Sequence, residues 1–149
     1  MVILEYFKNS ADVPTPRRAN ETDAGLDLFL PEDLEILPWN SAVVDSGIYI
    51  RPYTTRPNYY TYTEVKSKSG LGFKNRILAF PGVVDETYNQ QTIKVLLFNM
   101  SPDKFFRPAG QSFVQLIVFE LPKISLVENL NLLTEGGNRD GFGSTDTLL

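Results

Sequence analysis

An all-β sandwich or barrel is the fold class this sequence predicts, on three observations. Short runs rich in Val, Ile, Tyr, Phe and Thr recur along the chain, each bounded by turn residues. Ten prolines and ten glycines fall mostly between those runs, where a ladder hydrogen bond is not needed. No window sustains a 3.6-residue apolar period over several turns. A chain of 149 residues favours one domain. A domain of that size buries roughly 68–70% of its unfolded surface and needs no staple.

The elements follow in order. Residues 1–7 open with apolar alternation, and Asp27-Leu28-Phe29-Leu30 follows a glycine turn. Ala42-Val43-Val44 and Gly47-Ile48-Tyr49-Ile50 flank Asp45-Ser46. Residues 59–65 alternate Tyr and Thr as a strand does, although the Tyr, Pro and Thr block 51–63 as a whole reads as an enlarged hairpin loop. Residues 70–75 suit one short helical turn. Gly82-Val83-Val84-Asp85-Glu86-Thr87-Tyr88 then reads as the first strand of a β-hairpin, with Asn89-Gln90-Gln91 as its turn and residues 92–99 as its return. That hairpin would present one acid and one flat ring at its tip. Residues 112–121 form a long β-rich run. From Thr134 the chain becomes glycine-rich and poor in core residues. It therefore divides into a β domain, 1–133, and a flexible arm, 134–149.

Composition excludes several chemistries. With no cysteine there is no disulfide, thiolate nucleophile or zinc–thiolate site. With no histidine, the commonest general base and metal ligand is missing. Carboxylate acid–base chemistry and oxygen-ligand metals remain, Mg²⁺ first among them. A net charge of −4 argues against a nucleic-acid partner. No apolar run reaches transmembrane length, and the N-terminus lacks the plan of a signal peptide, so a soluble cytoplasmic protein without a membrane partner is expected.

Five segments could carry chemistry, and each also has a plain structural reading. Asp27, in Asp23-Ala24-Gly25-Leu26-Asp27-Leu28, is a turn carboxylate that caps backbone N–H groups or a ligand. Lys66-Ser67-Lys68-Ser69-Gly70-Leu71-Gly72 is ordinary loop composition or a small-residue cradle for an anion. Asp85 and Tyr88 lie on a surface hairpin, or they orient a water and offer a ring face. Gln115, inside the apolar run after Pro108-Ala109-Gly110, needs a backbone or ligand partner, because an unpaired buried amide costs roughly 1–3 kcal/mol. Arg139-Asp140-Gly141-Phe142-Gly143-Ser144-Thr145 is a disordered tail or a lid in which arginine clamps phosphate and Phe142 covers a ring.

In order, Ala-Gly-x-Asp-Leu, Ser-Gly-Leu-Gly, Gly-Val-Val-Asp-x-x-Tyr, Gly-x-x-x-x-Gln and Phe-Gly-Ser-Thr span residues 24–145 and resemble the five-motif plan of the dUTPase family. Leu97-Phe98-Asn99 and Leu37-Pro38 agree with it. The resemblance implies a distorted jelly-roll β-barrel, a homotrimer with three sites at subunit interfaces, and Mg²⁺-dependent cleavage of dUTP to dUMP and pyrophosphate. It implies that Asp85 positions the attacking water and that Tyr88 stacks under the deoxyribose and excludes a 2′-hydroxyl. The backbone of Gly82, Val83 and Val84 would read uracil, and Lys68, Ser69 and Gly70 would contact phosphate. Asp27 and Gln115 would hold Mg²⁺-bound waters or phosphate oxygens. Phe142 and Gly143 would cover the base, with Ser144 and Arg139 on the terminal phosphate.

The chain departs from the family pattern in places. Lys68 and Ser112 stand where arginine is usual, and Asn89-Gln90-Gln91 replaces a glycine turn. Arg139 lies closer to Phe142, and Asp146 replaces glycine. Two further readings use the same scaffold: a catalytically weakened regulatory protein that binds deoxyuridine nucleotides, and a dCTP deaminase. The uracil hairpin and the Phe-Gly-Ser-Thr arm argue against the deaminase.

Overall fold

The computed structural model describes residues 1–86 and 91–130, among which there are eleven strands and one helix. In chain order these are β1 (Val2–Lys8), β2 (Leu26–Phe29), β3 (Leu34–Ile36), β4 (Ser41–Asp45), β5 (Ile48–Thr54) and β6 (Tyr59–Ser67), then α1 (Ser69–Asn75), β7 (Ile77–Ala79), β8 (Gly82–Asp85), β9 (Lys94–Asn99), β10 (Phe105–Arg107) and β11 (Ser112–Pro122). The largest sheet is antiparallel in the order β2-β11-β6-β8. A second sheet runs β4-β9-β7, and β1-β5 and β3-β10 form two-stranded pairs. The all-β class is thus met by four sheets, which fit a jelly-roll plan without closing into one continuous barrel among the described residues.

Period-two alternation builds the core. In β6, Thr61, Thr63 and Val65 are buried while the residues between them face outward. Their inward neighbours Leu28, Val84, Val114 and Leu116 come from the other three strands of the same sheet. Ile36, Ile48, Ile50, Val95, Leu97 and Phe113 belong to the same core. Asn99 is buried among these apolar groups, and its amide is satisfied by donating to the carbonyls of Ile36, Leu37 and Asp103.

Several expectations are corrected. The strands on either side of Asn89-Gln90-Gln91 do not form one ladder among the described residues: β8 pairs with β6, and β9 pairs with β4 and β7. The chain changes sheets there, because β8 completes the large sheet while β9 is the centre of the second. The strands flanking Asp45-Ser46 also part, β4 to β9 and β5 to β1. Gly47, at φ 68°, makes that corner, and Asp45 Oδ1 accepts from its N–H at 2.9 Å. The block 51–63 is not an enlarged loop. It is the end of β5 and the start of β6 around a turn at 55–58, where Asn58 takes a positive φ of 61°. Strands β3, β7 and β10 have three residues each, too few to show a period.

Two apolar surfaces remain open. On the outer face of the second sheet, Leu78 stands opposite Phe98 and Val43 opposite Leu96, and Val43 is 66% exposed. After β11 the chain carries Ile124, Leu126 and Val127 in the open, with Leu126 fully exposed.

Candidate active site

Register brings Asp27 and Gln115 together. Gln115 of β11 lies opposite Asp27 of β2 on one side and Lys66 of β6 on the other. Directly opposed residues share a face, so Asp27, Gln115, Lys66, Glu64, Tyr62 and Asp85 all belong to the outer face of the large sheet. Asp27 is nevertheless only 8% exposed. The main chain of Arg17 covers that edge through a β-bridge to Asp27, with the Arg17 guanidinium 4.9 Å from the Phe29 ring centroid.

Lys68 compensates the Asp27 charge, with Nζ 2.5 Å from Oδ1. Lys68 is the N-cap of α1 in extended geometry, and its ammonium, a donor only, makes no cap to the helix N–H groups and meets the carboxylate instead. The Gln115 amide donates to Ser67 O at 3.1 Å, and Ser67 Oγ accepts from Ala79 N at 2.8 Å, which ties the end of β6 to β7. Ser69 and Gly70 open the helix, exposed, in the turn whose N–H groups have no intrahelical partner. A cavity of about 310 Å³ lies here, lined by Ser67, Lys68, Ser69, Gly72, Phe73, Leu78 and Gln115. The helix stops at Arg76 in the left-handed region, φ 55°, whose N–H returns to the Gly72 carbonyl.

The glycines separate into two kinds. At Gly25 a Cβ would lie 2.3 Å from Gln115 Oε1, so any side chain there must push the Gln115 amide aside. At Gly70 and Gly82 a Cβ would meet nothing within 4 Å. Gly25→Ala is expected to displace the Gln115 amide, cost about 1–3 kcal/mol of stability and reduce turnover about 10–100-fold. Thermal denaturation beside a turnover assay checks both, and unchanged activity would mean that Gln115 has no part in the site.

Asp85 ends β8 opposite Tyr62, exposed and without a hydrogen-bond or ion-pair partner among the described residues. Val83 is exposed, and Val84 is buried in the core. Glu86, which sequence reasoning missed, anchors this end: its Oε1 accepts from Thr61 N at 2.6 Å and Thr61 Oγ1 at 2.9 Å. Nothing local announces that bond, since its partner lies 25 residues away. Glu86→Ala leaves two polar groups of the buried Thr61 unpaired, an expected loss of about 1–3 kcal/mol. Urea titration should show that loss, with Glu86→Gln losing less; equal stability of Glu86→Ala and the unmutated protein would refute the anchor.

Between the two ends, Lys66 donates a hydrogen bond to Glu64 and holds its carboxyl below the ordinary carboxylate range. Desolvation, with the Glu64 charge beside it, pushes the Tyr62 hydroxyl up. Tyr62 stacks on Phe119 at 5.1 Å.

Lys68 therefore meets Asp27, and Gln115 lies opposite Asp27 and lines the same cavity as Lys68, while Asp85 stands apart from all three. Asp85 sits opposite Tyr62 and Gln115 opposite Lys66, four residues along β6, or ~13 Å at strand rise, with a further strand between them. Both groups stand on one face of the same sheet. Tyr88, Arg139, Phe142, Gly143 and Ser144 lie outside the described residues. No group of three His, Cys, Asp or Glu side chains fit to hold an ion occurs among the described residues. Arg107, also missed from sequence, lies half-buried at the end of β10, and its Nε donates to Ser112 O at 2.8 Å. Burial pushes its guanidinium pKa down, and the Asp27 charge opposes that shift.

The dUTPase family model matches residues 11–146. Deoxyuridine 5'-triphosphate nucleotidohydrolase from Clostridium kluyveri is 34% identical over 135 residues, covering 89% of this chain and 90% of the relative. The enzyme of that name from Gloeothece citriformis is 36% identical over 134 residues, 87% of each chain. Among solved structures, a Staphylococcus bacteriophage 80alpha dUTPase with dUpNHpp superposes with a TM-score of 0.75 at 20% identity, covering 95% of this chain and 97% of that one. A mutant dUTPase from phage phi11 of S. aureus, described with a structural Mg(II) ion, gives 0.69 at 18% identity, covering 87% and 99%. At those identities the superpositions speak to the fold. No helix among the described residues is long and apolar enough to cross a membrane. The family model spanning nearly the whole chain, with relatives above 30% identity along most of their own length, shows that this chain belongs to the dUTPase family.

Proposed function

We propose that the protein hydrolyses dUTP to dUMP and pyrophosphate at sites built between copies of the chain. The observation that carries this reading is the shared outer face, on which the Asp27–Lys68–Gln115 cluster and Asp85 stand as separate halves. A homotrimer joins the Asp85 end of one copy to the Asp27 end of another, and the arm 134–149 closes over the substrate. The open apolar face around Val43 and Phe98 and the exposed segment at Ile124, Leu126 and Val127 support assembly with further copies.

Asp85 accepts a hydrogen bond from one water and orients its oxygen toward the α-phosphorus. That oxygen bonds to phosphorus as the bond to the α,β-bridging oxygen breaks, and pyrophosphate leaves with the electron pair. An exposed carboxylate at the end of a strand suits this role without a covalent nucleophile. Lys68, the Ser69 hydroxyl and the Gly70 N–H hold phosphate oxygens, and the open space at Gly70 lets phosphate approach the backbone. The main chain of Gly82, Val83 and Val84 reads the uracil edge. Tyr88 lies under the sugar, Phe142 and Gly143 cover the base, and Ser144 and Arg139 meet the terminal phosphate.

The donor set fits Mg²⁺ in one particular way. Asp27 is one hard oxygen ligand already neutralised by Lys68, and Gln115 adds an amide oxygen beside it. Mg²⁺ keeps several waters and binds through one or two carboxylates plus substrate phosphates, so Asp27 and Gln115 would hold it through water. When bound, it neutralises charge on the triphosphate and the leaving pyrophosphate.

The test is pyrophosphate release by the purified protein with Mg²⁺ on dUTP, dTTP, dCTP and UTP. Turnover of dUTP well above the other three supports the proposal. Binding of dUpNHpp with no turnover would make the protein a nucleotide-binding regulator instead, and ammonia release from dCTP would make it a deaminase.

A further inference from the structure

Asp85 closes β8, which is an edge of the large sheet with β6 as its neighbour among the described residues. The Asp85 carboxylate is exposed and has no hydrogen bond or ion pair among the described residues. A side chain placed that way can take several staggered rotamers, and most of them turn the carboxylate away from any one water. Under the proposed function, on which this inference rests, the carboxylate has to be held to within about 0.5 Å and 10–20° of its productive geometry. A neighbouring group must therefore limit it.

Tyr62 of β6 lies directly opposite Asp85. Its chain neighbours Thr61 and Thr63 are buried, as is Val84 before Asp85, so the side chains of Tyr62 and Asp85 leave the sheet on the same outer face. Directly opposed side chains start about 4.5–5.5 Å apart at Cβ, while the diagonal neighbours, here Tyr60 and Glu64, start at about 7–8 Å. Tyr62 is also the neighbour that is held still. Its ring stacks on Phe119, the residue opposite it on β11, with centroids 5.1 Å apart and planes 14° from parallel. Beside this pair, Glu86 Oε1 accepts from Thr61 N at 2.6 Å and Thr61 Oγ1 at 2.9 Å. Those bonds join the residue after Asp85 to the residue before Tyr62, and so fix the two backbones against each other. The diagonal acid Glu64 is engaged with Lys66.

We propose that Tyr62, clamped by Phe119, is a positioning residue for Asp85: its ring is a fixed wall on the side of the carboxylate that faces the middle of the sheet, and it confines Asp85 to the rotamers that meet the attacking water. The wall is the ring itself, so a phenylalanine serves at this position and a small side chain does not.

The test compares Tyr62→Ala, Tyr62→Phe, Phe119→Ala, and Tyr62→Ala combined with Asp85→Asn. Single-turnover and steady-state rates on dUTP, isothermal titration with dUpNHpp and thermal melting are measured on each. Tyr62→Ala is expected to lower kcat by about 10–100-fold while affinity for dUpNHpp stays within about threefold. Tyr62→Phe should restore most of kcat, and Phe119→Ala should lose part of it because the ring remains but is no longer clamped. In the Asp85→Asn background, Tyr62→Ala should cost less than about twofold, since there is no carboxylate left to position. A Tyr62→Ala protein whose kcat is unchanged overturns the proposal. So do equal losses in both backgrounds, which would make Tyr62 a structural residue only, and a Tyr62→Phe protein as slow as Tyr62→Ala, which would assign the effect to the hydroxyl. If Tyr62→Ala does not fold, Tyr62→Leu replaces it, and a kcat equal to that of Tyr62→Phe overturns the proposal. An unmutated protein that releases no pyrophosphate from dUTP removes the functional reading itself, and this inference with it.

Discussion

Asp85→Asn is expected to lower kcat on dUTP by about 10²–10⁴-fold, the range for losing a positioned acid–base group. The amide keeps the shape but cannot accept a water proton or direct the lone pair as a carboxylate does. Asp85 is exposed and unpartnered among the described residues, so the fold should tolerate the change within about 0.5 kcal/mol. Affinity for dUpNHpp should hold or rise slightly, since a negative charge near the phosphates is removed. Together these outcomes separate lost chemistry from lost structure. An Asp85→Asn protein that retains activity within tenfold would remove Asp85 from the reaction.

Mixing two inactive proteins should restore activity, an even larger effect relative to its baseline. Under the proposed function Asp85→Asn damages one half of each site and Lys68→Met the other, and the register holds those two residues' ends of the sheet ~13 Å or more apart within a chain. If each site takes its halves from different copies, co-refolding the two variants in equal amounts should leave about a quarter of the sites intact. Neither variant alone regains activity on the same treatment. Mixed assemblies as inactive as the parents would show that both halves of each site come from one chain, against the register.

The two experiments depend on different levels of legibility. Asp85 could be singled out from sequence because it ends a short apolar strand in a chain without histidine or cysteine, inside one of five ordered motifs. Asp27, Lys68 and Gln115 were candidates for the same reason. Their grouping was not readable: it depends on Gln115 lying between Asp27 and Lys66 across three strands that are distant in sequence. Glu86 and Arg107 carried no signal at all. Each acts through a backbone group, of Thr61 and of Ser112, and only strand packing decides which carbonyl or N–H is within reach.

Strand boundaries show a similar division. Long β-branched runs such as β6 and β11 declared themselves by composition and alternation. The three-residue strands β3, β7 and β10 are held by their partners rather than by their own propensity. The expected Asn89-Gln90-Gln91 hairpin had the correct local signals but the wrong pairing. A turn signal says that the chain reverses, without saying which neighbour each strand will find.

The sequence by itself determined the all-β class, the motif order and the residue types able to act, because side-chain chemistry and two-residue periodicity are local properties. Tertiary structure decided the pairing of β8 with β6, the Lys68–Asp27 ion pair and the separation of Asp85 from that pair. Those are settled by which surfaces meet to bury Leu28, Val65, Val84 and Leu116, a competition among long-range contacts that no segment encodes alone.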